Sequence, residues 1–169
     1  MLYTHILIPI DFSAPAQRAL HYAIEEARQH RAKLTLLHVL HHQPATEVYY
    51  VQGSPEIHRG YEAELGGSLP GPIPHAPQTI RRDYHEEAMI QLRDLVPADF
   101  SGVWDVQVAT GDPADAIVSE ATQLGVDLIV MATHGRTGLQ HVLLGSVAEK
   151  VVRHASCPVL TIRLRSDAA

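Results

Sequence analysis

Short apolar runs alternate with longer segments of helical spacing along most of the chain. Residues 5–10 are a run too short for a helix, and after Asp11-Phe12-Ser13 the next segment, 14–30, sets Ala19, Leu20, Ala23, Ile24 and Ala27 on one helical face. Residues 33–40, with Leu34, Leu36, Leu37 and Val39, form a second run, too hydrophobic for an exposed strand and read as a buried parallel one. Farther on, residues 103–109 alternate as a strand and Asp112-Pro113 opens a helix running to Gly125, with Asp112 as N-cap and Pro113 at its first position. Residues 127–132 read as a strand, 146–154 as a helix and 158–164 as a last strand.

The alternation breaks over residues 41–78, where Pro44, Pro55, Pro70, Pro72, Pro74 and Pro77 stand among five glycines. So long a stretch without its own structure reads as an insertion, a lid or an interaction surface, with at most a brief helix over 54–65. Helical spacing is predicted again over 79–95, where Ile80, Tyr84, Ala88, Leu92 and Leu95 share a face and Pro97 ends the helix.

Five strands alternating with helices predict a single α/β domain over residues 1–169, built on a mostly parallel sheet with right-handed crossovers. Ligands of such sheets sit beyond the carboxyl ends of the strands, so the loops at 11–13 and 132–138 are expected to converge on a site.

Composition narrows the classes. A chain of 169 residues with 46% hydrophobic and 19% charged residues is that of an ordinary globular protein. Its net charge of -6 argues against duplex nucleic acid, which is held by clustered Lys and Arg. No apolar run approaches the ~20 residues of a membrane span, the N-terminus has no basic region leading into an apolar one, and Cys157 has no partner for a disulfide. A cytoplasmic protein, with no membrane partner, is expected.

The chemistry concentrates in Met131-Ala132-Thr133-His134-Gly135-Arg136-Thr137-Gly138, followed by Gly145-Ser146. Glycines let a polyphosphate approach the backbone, and a helix beginning at Ser146 would aim its free N–H groups and positive dipole end at that anion. Ser146 and Glu149 also form a capping box that satisfies the same turn without a ligand, and both can hold together. His134 and Arg136 read as exposed loop residues. His38, His41, His42, His58, His75 and His85 invite a metal site but show no ligand spacing, so none is assigned; Cys157 reads as a packed residue.

These residues resemble the universal stress protein family, in particular its ATP-binding branch. The likeness rests on Ile8-Pro9-Ile10-Asp11-Phe12-Ser13, Gly111-Asp112-Pro113, the Asp127-Leu128-Ile129-Val130-Met131 run, the glycine-rich segment and the ending Cys157-Pro158-Val159-Leu160-Thr161-Ile162. It covers all but residues 41–78. It implies an open five-stranded sheet of order 3-2-1-4-5, Rossmann-like and similar to adenine nucleotide alpha hydrolases. The family's ATP signature is Gly, two residues, Gly, nine residues, then Gly with Ser or Thr. Gly135, the nine residues 136–144 and Gly145-Ser146 fit it, while Ala132 stands where the first glycine would be. That methyl is tolerated at a negative φ and crowds the ribose at a positive one.

Carried onto this chain, the resemblance implies that Pro9 and Asp11 border the base and sugar, and that Val39 offers its backbone to the adenine edge. Met131 and Ala132 would lie against the ribose, and Gly135, Gly145, Ser146, Val147 and Ala148 would meet the phosphates of ATP carried with Mg²⁺ or Mn²⁺. It also implies a homodimer through the C-terminal strand and a nucleotide-dependent switch that acts on a protein partner. No residues place a nucleophile beside a base, and no Walker lysine is present, so no catalytic residue is assigned and slow hydrolysis is the most the chain offers. An interaction module of the same fold without nucleotide is the alternative, motivated by Ala132. An enzyme of the PP-loop pyrophosphatase kind would need a Ser/Gly-rich loop after the first strand, which Asp11-Phe12-Ser13-Ala14-Pro15 does not supply.

Overall fold

The computed structural model describes residues 3–41, 46–51, 78–133 and 144–163. Its main sheet is built from β1 (His5–Pro9), β2 (Lys33–Leu40), β5 (Trp104–Thr110), β6 (Leu128–Ala132) and β7 (Val159–Ile162), in the order β5-β2-β1-β6-β7. All four pairings are parallel. Counting only these strands the order is 3-2-1-4-5, as the resemblance implied.

Between the strands lie α1 (Ala14–His30), α2 (Tyr84–Asp94), α3 (Pro113–Gln123) and α4 (Ser146–His154). Period-two alternation along the strands divides the core in two. Ile6, Ile8, Leu34, Leu36, Leu128 and Val130 pack on one side with Ala19, Leu20, Ala23 and Ile24 of α1 and Leu92 of α2. On the other side Leu7, Leu37, Ile129 and Met131 pack with Ala114, Ile117 and Ala121 of α3 and Ala148 and Val151 of α4. Helices on both faces explain why the strands read as continuous apolar runs. Among the described residues no helix is long and apolar enough to cross a membrane.

Helix starts follow local chemistry where a short polar side chain precedes them. Ser13 accepts from the Ala16 amide at the head of α1, and Asp112 accepts from those of Ala114 and Asp115 at the head of α3, where Pro113 follows as read from the sequence. The helix expected over 79–95 is corrected. Residues 78–83 form a strand, β4 (Gln78–Asp83), paired antiparallel with β3 (Thr46–Val51), and α2 begins only at Tyr84. Asp83 sets that start by accepting from the amides of His85 and Glu86 at 3.0 and 3.1 Å. Ile80 fell on the helical stripe by coincidence, and pairing opposite Tyr49 in the register overrides that local pattern. The insertion is therefore framed by two strands rather than irregular from end to end; the brief helix considered at 54–65 lies outside the described residues.

At the amino ends of the strands, polar groups tie the sheet together. Asp127 accepts from the amide and hydroxyl of Thr4 at 2.8 and 2.7 Å and from the His5 amide at 3.2 Å. His5 donates from Nδ1 to the Leu124 carbonyl, and its Nε2 lies 2.8 Å from the hydroxyl of the fully buried Thr35. Burial, helped by the Lys33 ammonium, lowers the imidazole pKa from its ordinary 6.5, against the opposing pull of Leu124, Asp105 and Asp127. A base with a depressed folded pKa is protonated more readily in the unfolded chain. Its contribution to stability is therefore complete above pH 6.5 and is lost as pH falls from there through the folded value. Urea denaturation between about pH 8 and pH 5 should show this fall, and His5→Gln should flatten it. An unchanged slope in the variant would locate the pH dependence elsewhere.

Candidate functional site

A cleft of about 680 Å³ opens at the carboxyl ends of the parallel strands. Its walls come from the end of β1 and the turn after it, the second half of β2, the head of α3, the end of β6 and the head of α4. β1 and β6 are neighbours, and the helices that follow them, α1 and α4, lie on opposite faces of the sheet, which makes this the topological point where such folds bind ligands.

Nine of the ten residues singled out from the sequence line this one cleft: Pro9, Asp11 and Val39, then Met131 and Ala132, then Gly145, Ser146, Val147 and Ala148. Gly135, with His134 and Arg136, lies outside the described residues.

Asp11 is held in a turn, where its Oδ1 accepts the Ser13 amide at 3.0 Å, and Ser13 in turn caps α1. Between them Phe12 takes a φ of 63°, uncommon for an aromatic residue, and its ring lies 4.6 Å from that of His38. His38 Nδ1–H donates to the Ile10 carbonyl at 2.7 Å, so the turn after β1 is fastened to β2.

Val39 owes its position to the register. β1 pairs with β2 only as far as Leu37, whose carbonyl accepts the Ile10 amide at 2.7 Å. Backbone groups two residues apart in a strand point the same way, so those of Val39 face the side that β1 has left. On its other side β2 stays paired with β5 through Leu40 and Thr110. A strand edge facing a cleft is thus presented where the base was expected.

The head of α4 corrects the capping-box reading. Gly145, at φ -68° and ψ 158°, is the N-cap, Ser146 is the first helical residue, and no side chain caps the turn. Glu149 is engaged with Arg153 at 2.6 Å instead. Gly145 is held extended because its amide donates to the Thr133 carbonyl at 2.7 Å, and its own carbonyl accepts the Glu149 amide at 2.8 Å. The first N–H groups of α4 and its positive dipole end therefore open on the cleft, with no competing side chain among the described residues.

Ala132 is the last residue of β6, in register with Ile162, and is not among the residues with positive φ. Its methyl is accommodated by ordinary strand backbone and packs with the α1 side of the core. The condition under which an alanine there would be strained is absent.

Several lining residues carried no signal as such. In the sequence Asp112 and Pro113 signal a helix start and part of the family likeness but no ligand contact, His38 and His41 only a weak metal pattern, and Lys150 nothing. His41 Nδ1–H donates to the Gly111 carbonyl at 3.1 Å. Among the described residues no three His, Cys, Asp or Glu side chains gather as metal ligands. Cys157 packs half-buried against the α3 and α4 side, where burial and then the nearby Asp127 charge push its thiol pKa up, so it is a poor nucleophile.

A family model described as the universal stress protein family matches residues 2–163. Universal stress protein MJ0531 of Methanocaldococcus jannaschii is 32% identical over 96% of this chain and 83% of its own. The solved structure of the protein MJ0577 from the same organism superposes with a TM-score of 0.69 at 27% identity, over 99% of this chain and 100% of that one. A universal stress protein of Arabidopsis thaliana, solved with AMP bound, shares the fold at 22% identity and a TM-score of 0.52, over 97% of this chain and 94% of its own.

Proposed function

This chain belongs to the universal stress protein family, and from that premise we propose that its cleft binds an adenine nucleotide, ATP with Mg²⁺ or Mn²⁺, and that the protein is a nucleotide-dependent stress switch. One observation carries the reading: the head of α4, which has no side-chain cap among the described residues, opens on the cleft that Asp11 and the Val39 edge also line. Phosphate is the anion that such a helix start takes best. The Asp11 carboxylate suits sugar hydroxyls, and the free edge of Val39 offers one donor and one acceptor, which is what the edge of adenine needs. The AMP held by the Arabidopsis protein of this fold supports the same ligand class.

In this reading Pro9 and Met131 flank the base and sugar, and Ala132 is a tolerated replacement of the first signature glycine. Gly135 joins Gly145, Ser146, Val147 and Ala148 at the phosphates. The divalent ion would arrive with the phosphates and offset their charge. No side chain is assigned to break a bond, so the bound state itself is the output, read by a protein partner. The whole chain acts as one domain, in the cytoplasm, with residues 41–78 as a variable insertion. Edge strand β7 carries Leu160, 37% exposed, and neighbouring α4 carries Val152, 48% exposed. Pairing β7 with its copy in a homodimer would cover both.

Calorimetric titration with ATP, ADP and AMP, with and without Mg²⁺, tests the proposal. Saturable binding is expected, with hydrolysis far below the roughly 1–1000 per second of ordinary enzymes. No heat at millimolar ATP with Mg²⁺, and no nucleotide released on denaturing the purified protein, would overturn it and leave an interaction module.

A further inference from the structure

Lys150 belongs to no motif read from the sequence, yet it stands at the cleft. It is the fifth residue of α4, four positions after Ser146. Side chains on a helix lean toward its N-terminus and cover the preceding turn, so a lysine at this position extends back over Ser146 and Val147. Its ammonium is 3.8 Å from Oδ2 of Asp112, another lining residue, on α3. The other oxygen of Asp112 is committed to the α3 amides of Ala114 and Asp115.

That ion pair is loose. At 3.8 Å it is too long for a hydrogen bond, and its side chains are 56% and 42% exposed, so little holds the ammonium to this partner. A phosphate chain extending from the head of α4 would be a stronger attraction, since it carries several charges where Asp112 carries one. Among the described residues the other charged or titratable groups around the pair are Asp115 on α3, His154 on α4, whose Nδ1 donates to the Lys150 carbonyl at 2.8 Å, and His41, whose ring reaches the Gly111 carbonyl and lies near enough to Asp112 to act on its charge.

Resting on the nucleotide reading above, we infer that Lys150 is a specificity-determining residue that sets the preference for ligands with more phosphates by exchanging Asp112 for the distal phosphate. Asp112 is its resting partner and competes with the ligand. The cap that Asp112 gives α3 survives Asp112→Asn, because Asn caps as well as Asp, so the competition can be removed without unfolding the helix. Lys150→Met keeps the stem and removes only the charge.

Binding of AMP, ADP and ATP to the full chain and to the two variants and their double mutant decides the matter. Lys150→Met should weaken ATP by about fivefold, the scale of a partly exposed charge pair, and AMP by less than about twofold. Its ATP affinity should also depend less steeply on salt. Asp112→Asn should tighten ATP by about twofold, an effect that disappears when Lys150→Met is added. An unchanged ratio of ATP to AMP affinity in Lys150→Met, with the wild type binding both, would overturn the role of Lys150 alone. A wild type that binds none of the three would overturn the nucleotide reading, and this role with it.

Discussion

Replacing Gly145 by Asp is expected to leave the protein at least as stable as the wild type while weakening ATP by about 100-fold or more. The two effects have the same origin. Gly145 is the N-cap of α4 and lacks a side-chain cap, and its φ of -68° and ψ of 158° suit any L-residue, so the new carboxylate meets no backbone strain. Asp is among the best N-caps, worth roughly a few tenths of a kcal/mol over Gly. To act as a cap it must take the same N–H groups and dipole end proposed for the phosphates, and it adds a negative charge beside them. Losing one or two charge-assisted hydrogen bonds, at about 1.5–3 kcal/mol each, accounts for the expected loss. Thermal unfolding and calorimetry on one preparation read both quantities. If Gly145→Asp were folded and bound ATP as well as the wild type does, the head of α4 would not be the anion seat.

The second large effect concerns stability, and a paired substitution gives it meaning. Leu36 lies on β2 in the interior of the sheet, fully buried among Ile8, Leu34 and the α1 face. Leu36→Ala should reduce the unfolding free energy by about 2–5 kcal/mol, the lost transfer plus the cavity left behind. Leu160, the same residue type on edge strand β7, is 37% exposed, and Leu160→Ala should cost less than about 1 kcal/mol within one subunit. Its larger consequence is expected in assembly: if β7 pairs with its copy, sedimentation should show the variant dissociating at concentrations where the wild type remains dimeric. Equal losses of stability in urea from the two substitutions would contradict the division into buried centre and exposed edge.

The fold was legible because the two kinds of information agree over most of the chain. Runs such as Leu34 to Leu40 are mostly buried on both faces and so are apolar at most positions, while α1 buries one face and shows helical spacing. Agreement failed at residues 78–83. Ile80 and Tyr84 are four apart, as on a helix, yet the strand at 46–51 supplied cross-strand hydrogen bonds that no local pattern encodes.

The site was legible in part, and mostly through resemblance. The segment around Gly145-Ser146 announces a helix start near glycine, but Ser-x-x-Glu fits a capping box whether serine stands outside the helix or in its first turn. The choice was made by the Gly145 amide, bonded to the Thr133 carbonyl on the far side of residues 134–143. Asp112, His38 and Lys150 were invisible as a group because their nearness depends on how α3, β2 and α4 come together at one end of the sheet.

By itself the sequence determined the α/β alternation, the helix starts at Ser13 and Asp112, and the chemistry available near Gly145, because periodicity, capping and glycine content act over a few residues. Only the tertiary structure decided that the Val39 edge faces the side β1 has left, that Ala132 sits in unstrained strand backbone, and that Lys150 comes beside Asp112 at the cleft. Each of those depends on strand register or helix packing, which bring together residues far apart in the chain and leave no local pattern for the sequence to show.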